Sequence, residues 1–271
     1  MRVVFYNGAF IAEEDVSISI NSRAFNYGDG FFESVKIINT KPFNLSYHLK
    51  RIKLAFSLLK LSDNYTEAFF QESILDLLKR NKVVNGSIKI HISRIGAGRY
   101  LPMSDSLDLF ISSSNGSAYK SNNAISLCFY EDECKSLGNL SNIKSVSSLV
   151  SVLASIYASE NNFDNAILFN ASGNIIEVSN ANIFIVKNKN IYTPPLIEGC
   201  VDGTMRRWVS NWLDIFERPI SKDEILDADE VFITNATNGI VSVKIIEDTY
   251  FPSFSMALRI QKKLVSSSLD L

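Results

Sequence analysis

A chain of 271 residues is long for one ordinary domain and sufficient for two of roughly 100–150 residues each. Its hydrophobic share of 46% and charged share of 21% are those of globular chains, which excludes disordered, collagen-like and coiled-coil classes. With 27 Lys+Arg against 29 Asp+Glu the net charge is −2, so nucleic acid is not an expected partner, although local basic patches for small anions remain open.

The chain begins with a hairpin signal, Asn7-Gly8 between two apolar runs, because this pair tolerates the positive φ angles of a tight turn. An extended stretch surrounds Phe31–Ile38. Leu45, Leu49, Ile52, Phe56 and Leu59 then recur every three or four residues, the period of an amphipathic helix, and Phe69, Phe70, Ile74, Leu77 and Leu78 predict a second. Ile88, Ile90 and Ile92 alternate with Lys89, His91 and Ser93, which predicts a half-buried strand. These elements make a small N-terminal α+β domain over 1–112. The polar run 113–123 reads as a linker, and 124–271 as a larger α/β domain. That domain is predicted to contain a strand over 124–130 and a helix after Lys144, with Val146, Leu149, Val150, Leu153 and Tyr157 on one face. Strands at 166–169, 183–186 and 191–193, a helix from Gly203, a strand over 230–234 and a C-terminal helix over 253–265 follow. The fold class is α/β or α+β in two domains, with an active site expected between them.

Three cysteines, Cys128, Cys134 and Cys200, form neither a CxxC pair nor a dense framework, so no disulfide scaffold and no metal site is expected. The N-terminus carries no signal-peptide stretch, and no run approaches the ~20 apolar residues of a membrane span. The expectation is a cytoplasmic protein without a membrane partner. Of the two histidines, neither His48 nor His91 sits in a metal or triad motif.

The chemistry concentrates between Lys144 and Arg206. Glu177-Val178-Ser179-Asn180-Ala181-Asn182-Ile183-Phe184, Ile191-Tyr192-Thr193 and Val201-Asp202-Gly203-Thr204-Met205-Arg206 give E-x-S-x-x-N-I-F, I-x-T and V-x-G-x-x-R in order. Upstream stand Tyr27-Gly28-Asp29-Gly30-Phe31-Phe32-Glu33 and His48-Leu49-Lys50-Arg51. Together these resemble the class IV pyridoxal-phosphate enzymes, the fold-type IV family of branched-chain and D-amino-acid aminotransferases and aminodeoxychorismate lyases. The resemblance extends over nearly the whole chain. Thr204 departs from it, standing where the signature usually has an aliphatic residue.

The resemblance implies pyridoxal 5′-phosphate as cofactor and a role for each piece. Lys144, 33 residues ahead of Glu177, matches the lysine that binds the cofactor and carries protons at the substrate Cα, provided burial lowers its proton affinity. Taken by itself it is a surface lysine leading into a helix. Glu177 would keep the pyridine nitrogen protonated; its alternative is a solvated glutamate after the Ser172-Gly173-Asn174 turn. Asn182, inside an apolar run, favours a packed, hydrogen-bonded corner. Arg51 and the backbone of Gly203-Thr204-Met205 would meet the phosphate, as would the turn at Asn235 and Ala236, although an exposed arginine on a basic helix and a polar strand cap are the plain alternatives. Ser93-Arg94-Ile95-Gly96-Ala97-Gly98-Arg99 resembles the family's substrate loop, with Arg99 rather than Arg94 facing a carboxylate. Tyr27 and Phe32 match pocket-lining aromatics, and core packing is their alternative.

Two reactions fit these residues. One is amino transfer between a small amino acid, branched-chain or D-type, and a 2-oxo acid, which the form of Glu33 in its motif favours. The other is 4-amino-4-deoxychorismate lysis to pyruvate and 4-aminobenzoate, favoured by Asn235-Ala236, the Arg99 loop and the hydroxyl of Ser34. Leu149 stands where branched-chain enzymes usually place a tyrosine. A non-catalytic cofactor-binding homologue is a third possibility, though both the lysine and the acid are present. The resemblance also implies a homodimer. Phe25, Tyr27, Phe31 and Phe32 are many aromatics for a ~110-residue domain to bury alone.

Overall fold

The computed structural model describes residues 2–62, 64–120 and 123–269. Ser121 and Asn122 of the expected linker lie outside the described residues, as do Met1, Asp63, Asp270 and Leu271. The chain forms two compact units, one of residues 2–118, 143–147 and 268–269 and one of 119–142 and 148–267.

In the first unit, β1 (Val3–Tyr6) and β2 (Ala9–Ala12) form the hairpin, with positive φ at Asn7 (46°) and Gly8 (95°) as its two-residue turn requires. A short helix α1 (Arg23–Tyr27) precedes β3 (Gly30–Ile38) and the two-residue β4 (Lys41–Pro42). Helices α2 (Leu45–Leu59) and α3 (Glu67–Asn81) follow, the second capped by the Thr66 hydroxyl, which accepts from the Phe69 amide at 3.1 Å. Long strands β5 (Gly86–Arg94) and β6 (Leu107–Asn115) complete an antiparallel sheet of order β2-β1-β6-β5-β3-β4. Strand β6 thus continues three residues into the stretch read as linker. The period-2 and period-3.6 patterns meet in one core: Phe31, Val35 and Ile37 of β3 and Ile88, Ile90 and Ile92 of β5 pack on Leu49, Ile52 and Phe56 of α2 and Ile74 and Leu77 of α3. Burying each such side chain contributes roughly 1.5–3 kcal/mol.

The second unit is a nine-stranded mixed sheet. Strands β7 (Ile125–Lys135) and β8 (Asn165–Asn170) run parallel across the crossover helix α4 (Leu149–Glu160), and β9 (Ile175–Val178) returns antiparallel. Next come β10 (Asn182–Lys187), β11 (Asn190–Thr193), α5 (Thr204–Ser210), β12 (Ile215–Glu217), α6 (Lys222–Leu226), β13 (Glu230–Asn235), β14 (Gly239–Ile246), β15 (Thr249–Tyr250) and α7 (Ser255–Leu269). The order is β12-β11-β10-β13-β14-β7-β8-β9, with β15 on β14. Both faces are covered: Leu127, Phe129 and Ile167 belong to one core, and Cys128, Tyr130 and Leu168 to another. This is why β8 is buried at all six positions and carries no alternation for a sequence to show. Buried Glu230 caps α7, accepting from the Ala257 amide at 2.6 Å and the Met256 amide at 3.0 Å.

Two expectations change here. The helix after Lys144 starts only at Leu149, and Val146 lies in the extended piece before it, donating its amide to the Gly30 carbonyl at 3.2 Å. Its packed face is Ala154 and Ala158 with Val150 and Tyr157 of the expected stripe, while Leu149 and Leu153 are 69% and 39% exposed. Small residues let the helix lie close on the sheet, so the leucines mark the opposite side. Second, the lysine segment 143–147 belongs to the first unit, not to the larger one. The Phe32 amide donates to the Lys144 carbonyl at 2.9 Å, and Ser145 bridges to Phe31, so the chain returns to the edge of β3 before α4 begins.

Candidate active site

Glu33 occupies an inward position of β3, between Phe31 and Val35, and is 1% exposed. A carboxylate there must be paired. One turn apart on α2, His48 and Arg51 share a face and meet it. The Arg51 guanidinium donates in a fork, Nε to Oε1 at 2.6 Å and Nη2 to Oε2 at 2.7 Å, and His48 Nδ1 lies 2.6 Å from Oε2. Burial pushes the Glu33 carboxyl up, but the Arg51 charge and the Arg51 and His48 hydrogen bonds outweigh it and hold it down at about 2. His48 is lowered, because burial exceeds the pull of Glu33, so its ring is neutral at pH 7 and its Nδ1–H donates. Arg51 is 5% exposed and is therefore not a surface-helix arginine.

Lys144 stands beside this cluster. Its Nζ lies 4.5 Å from the centroid of the Phe32 ring, and its charge is one of the influences that lower His48. Phe32 points to the face opposite the core, half-buried, with His91 across the strand pair and the Lys89 Nζ 4.7 Å from its ring. Arg94 pairs with Asp29 at 3.0 Å and donates to the Lys60 carbonyl at 3.3 Å, a structural role. Arg99 is exposed; its carbonyl accepts from Arg23 at 2.8 Å, and Arg23 also binds Asp29 at 2.8 Å. Tyr27 is 43% exposed, with its ring 5.7 Å from that of Tyr100. Both lie at the surface of the first unit, whereas Phe31 is core.

The second unit gathers the other residues at one end of its sheet. Glu177 on β9 is 5% exposed. It accepts from the Val201 amide at 2.9 Å and from the Lys135 ammonium. Burial, with the Glu177 charge behind it, pushes the nearby Cys200 thiol up to about 12. Asn182 donates its side-chain amide to the Val201 carbonyl at 2.8 Å, the packed corner its sequence context suggests. Gly203 leaves room for the buried Asn182: a Cβ there would sit 1.9 Å from the Asn182 Oδ1 and force that side chain to move. Thr204 and Met205, 3% and 2% exposed, open α5 from this turn. Across the β10–β13 pairing, Asn235 caps its own turn, its Oδ1 accepting from the Asn238 amide at 2.8 Å. The Ala236 carbonyl accepts from Tyr119 at 2.6 Å.

Arg51, Lys144 and Phe32 are thus brought together in one unit, and Glu177, Thr204, Met205, Asn235 and Ala236 in the other. Arg99 lies in the exposed 96–104 loop and Tyr27 at the end of α1. Sequence reasoning missed Lys135, hidden in the exposed run Glu131–Cys134, and passed over Glu33 as an anchor. A charge at an inward position of an alternating strand was the available signal for Glu33.

The family model for amino-transferase class IV matches residues 30–246, most of the chain. The D-alanine aminotransferase of Staphylococcus epidermidis is 30% identical over 263 residues, covering 91% of this chain and 90% of that protein. A branched-chain aminotransferase from Thermoproteus uzoniensis, solved with norvaline, superposes with a TM-score of 0.91 at 21% identity, over 99% of this chain and 95% of that one. A protein from Legionella pneumophila assigned as a 4-amino-4-deoxychorismate lyase gives 0.87 at 24% identity, over 94% and 97%. These two share the fold. With the ordered motifs, two buried charge clusters and a match spanning most of its length, the chain belongs to the class IV aminotransferase family.

Proposed function

We propose that this enzyme uses pyridoxal 5′-phosphate to move an amino group between a small amino acid and a 2-oxo acid. The observation that carries the reading is the place of Lys144: half-buried, its ammonium lies 4.5 Å from the centre of the Phe32 ring and within electrostatic reach of the buried His48. The donor set fits the cofactor. Beside the Asn235 turn, Thr234 is 1% exposed and its buried hydroxyl has no hydrogen-bond partner among the described residues, an orphan that an added acceptor would satisfy. When bound, the cofactor supplies a carbonyl that takes up the substrate's amine and a ring that receives the electron pair released at Cα.

Each residue then has a defined task. Lys144 would hold and carry the proton released at the substrate Cα. Glu177 would hold the ring nitrogen. Arg51 supplies the cation for the phosphate, its Nε–Nη2 edge fixed by Glu33, and the turns at Thr204-Met205 and Asn235-Ala236 supply the remaining contacts. Phe32 and Tyr27 bound the substrate, and Arg99 meets its carboxylate. The enzyme acts as a homodimer. In support, Phe25, Tyr100, Leu101 and Met103 are at least 78% exposed in the first unit, a patch that a second copy would cover.

Lyase chemistry on aminodeoxychorismate is kept as a second reading because Asn235-Ala236 follows the lyase pattern. A paired assay separates them: amino transfer to 2-oxoglutarate from L- and D-amino acids, against pyruvate release from aminodeoxychorismate. Transfer is the expected activity. The loaded protein should also show a visible absorption that borohydride bleaches; a colourless protein that takes up no cofactor defeats both readings.

A further inference from the structure

We propose that Lys135 is a positioning residue for the reaction: acting through Glu177, it fixes that carboxylate and keeps the proton shared with a ring nitrogen on the nitrogen. The inference rests on the reading above, in which Glu177 meets the cofactor ring.

Lys135 reaches Glu177 through an irregularity in the sheet. Tyr130 of β7 pairs with Leu168 of β8, but the next pairing joins Lys135 to Asn170, so four residues of β7 stand opposite one of β8. Those four, Glu131 to Cys134, are exposed, and the bulge turns Lys135 inward. Its side chain is 19% exposed against 6% for Glu177. It spans the intervening strand β8, since Glu177 pairs with Leu168 on the far side. The ammonium donates to Oε1, while Oε2 takes the Val201 amide, so each oxygen has one partner and lone pairs remain for a third donor. A second bond from Lys135 to the Ser141 carbonyl at 3.4 Å fixes the ammonium.

The electrostatic sense is settled by distance. A ring nitrogen and Glu177 can share a proton in two ways, as a cation facing a carboxylate or as two neutral groups. A lysine in direct contact with the carboxylate attracts it strongly and repels the more distant ring cation less, so its net effect favours the charged pair. Removing the lysine leaves a buried carboxylate with a single amide donor, and such a group gains a proton. The ring then loses its cation and with it the capacity to take up electrons from Cα. Nothing in this role brings Lys135 to the substrate.

The test loads the full-length protein with nitrogen-15-labelled pyridoxal phosphate and reads the ring-nitrogen chemical shift, together with turnover and cofactor affinity. In the wild type the shift should be that of a protonated ring. Lys135→Met should move it toward the unprotonated value and lower turnover in proportion to the protonated ring lost, about tenfold for each unit by which the ring-nitrogen pKa falls below the assay pH, with cofactor affinity changed less. Lys135→Arg should restore the wild-type shift. In a Glu177→Gln background, Lys135→Met should produce no further change. If Lys135→Met does not fold, Lys135→Gln keeps a donor without the charge and is read in the same way. A protonated ring in a charge-removing variant overturns the inference while leaving the cofactor reading intact. A wild-type protein that binds no cofactor overturns both.

Discussion

The two units solve the same problem with opposite charges. In the first, a buried carboxylate, Glu33, is the support, and the cation Arg51 is the group held in place. In the second, a lysine, Lys135, is the support, and the carboxylate Glu177 is held. Residue type therefore does not reveal which member of a buried pair is structural. What distinguishes them is the number of partners: Glu33 takes an arginine fork and a histidine, whereas Glu177 takes one ammonium and one amide. Glu33 is thus the more fully engaged of the two carboxylates, and Glu177 keeps more acceptor capacity for a further donor.

The largest expected effect concerns the lysine of the first unit. Lys144→Ala should lower turnover by orders of magnitude and remove the visible absorption of the loaded protein, because the nucleophile and the proton carrier are lost together. Near-normal turnover in that variant would place the chemistry on another lysine. A large effect on stability is expected from Glu33, the scaffold carboxylate. Its folded-state pKa lies below its unfolded value, so its contribution is present above about pH 4.5 and is lost as pH falls toward about 2. The depression corresponds to about 3 kcal/mol. Urea midpoints of the wild type should fall across this window, and those of Glu33→Gln should start lower and vary less there. Equal slopes for the two proteins would contradict the scaffold role.

Arg51→Ala should weaken cofactor affinity by roughly ten- to a hundredfold, through loss of a charge-assisted contact. Arg51→Lys should recover only part of it, since an ammonium cannot reproduce the fork to Glu33. An unchanged cofactor dissociation constant in Arg51→Ala would reduce Arg51 to a partner of Glu33 alone. The smallest effect concerns the exposed loop. If Arg99 serves the site of a neighbouring subunit, mixing Arg99→Ala with Lys144→Ala protein should restore a fraction of the activity absent from either alone. An active monomer by sedimentation at assay concentration would defeat that assignment.

Much of the fold was legible because half-buried elements display their period. The hairpin at Asn7-Gly8, α2, α3 and β5 all stand where alternation or helical spacing places them. Strand β9 and helix α4 were harder because β9, buried at every position, shows no alternation, and α4 carries apolar residues on its exposed side as well as against the sheet. Among the candidate site residues, Lys144, Glu177, Arg51 and Gly203-Thr204 were found through ordered motifs. Lys135 was not, because five residues of polar sequence, Glu131 to Lys135, look solvated until a bulge turns the last of them inward.

By itself the sequence determined the family, many of the half-buried elements and the ordered motifs that carry the candidate site residues. Motif spacing and local periodicity are properties of the chain, and they survive without knowing what packs on what. Tertiary structure decided the rest. It returned the Lys144 segment to the edge of β3, joined Glu33 to a helix 15 and 18 residues away, and brought Lys135 across a strand to Glu177. Each of these depends on burial, since a charge taken out of water must find its opposite nearby, and only the folded chain fixes which one is nearest.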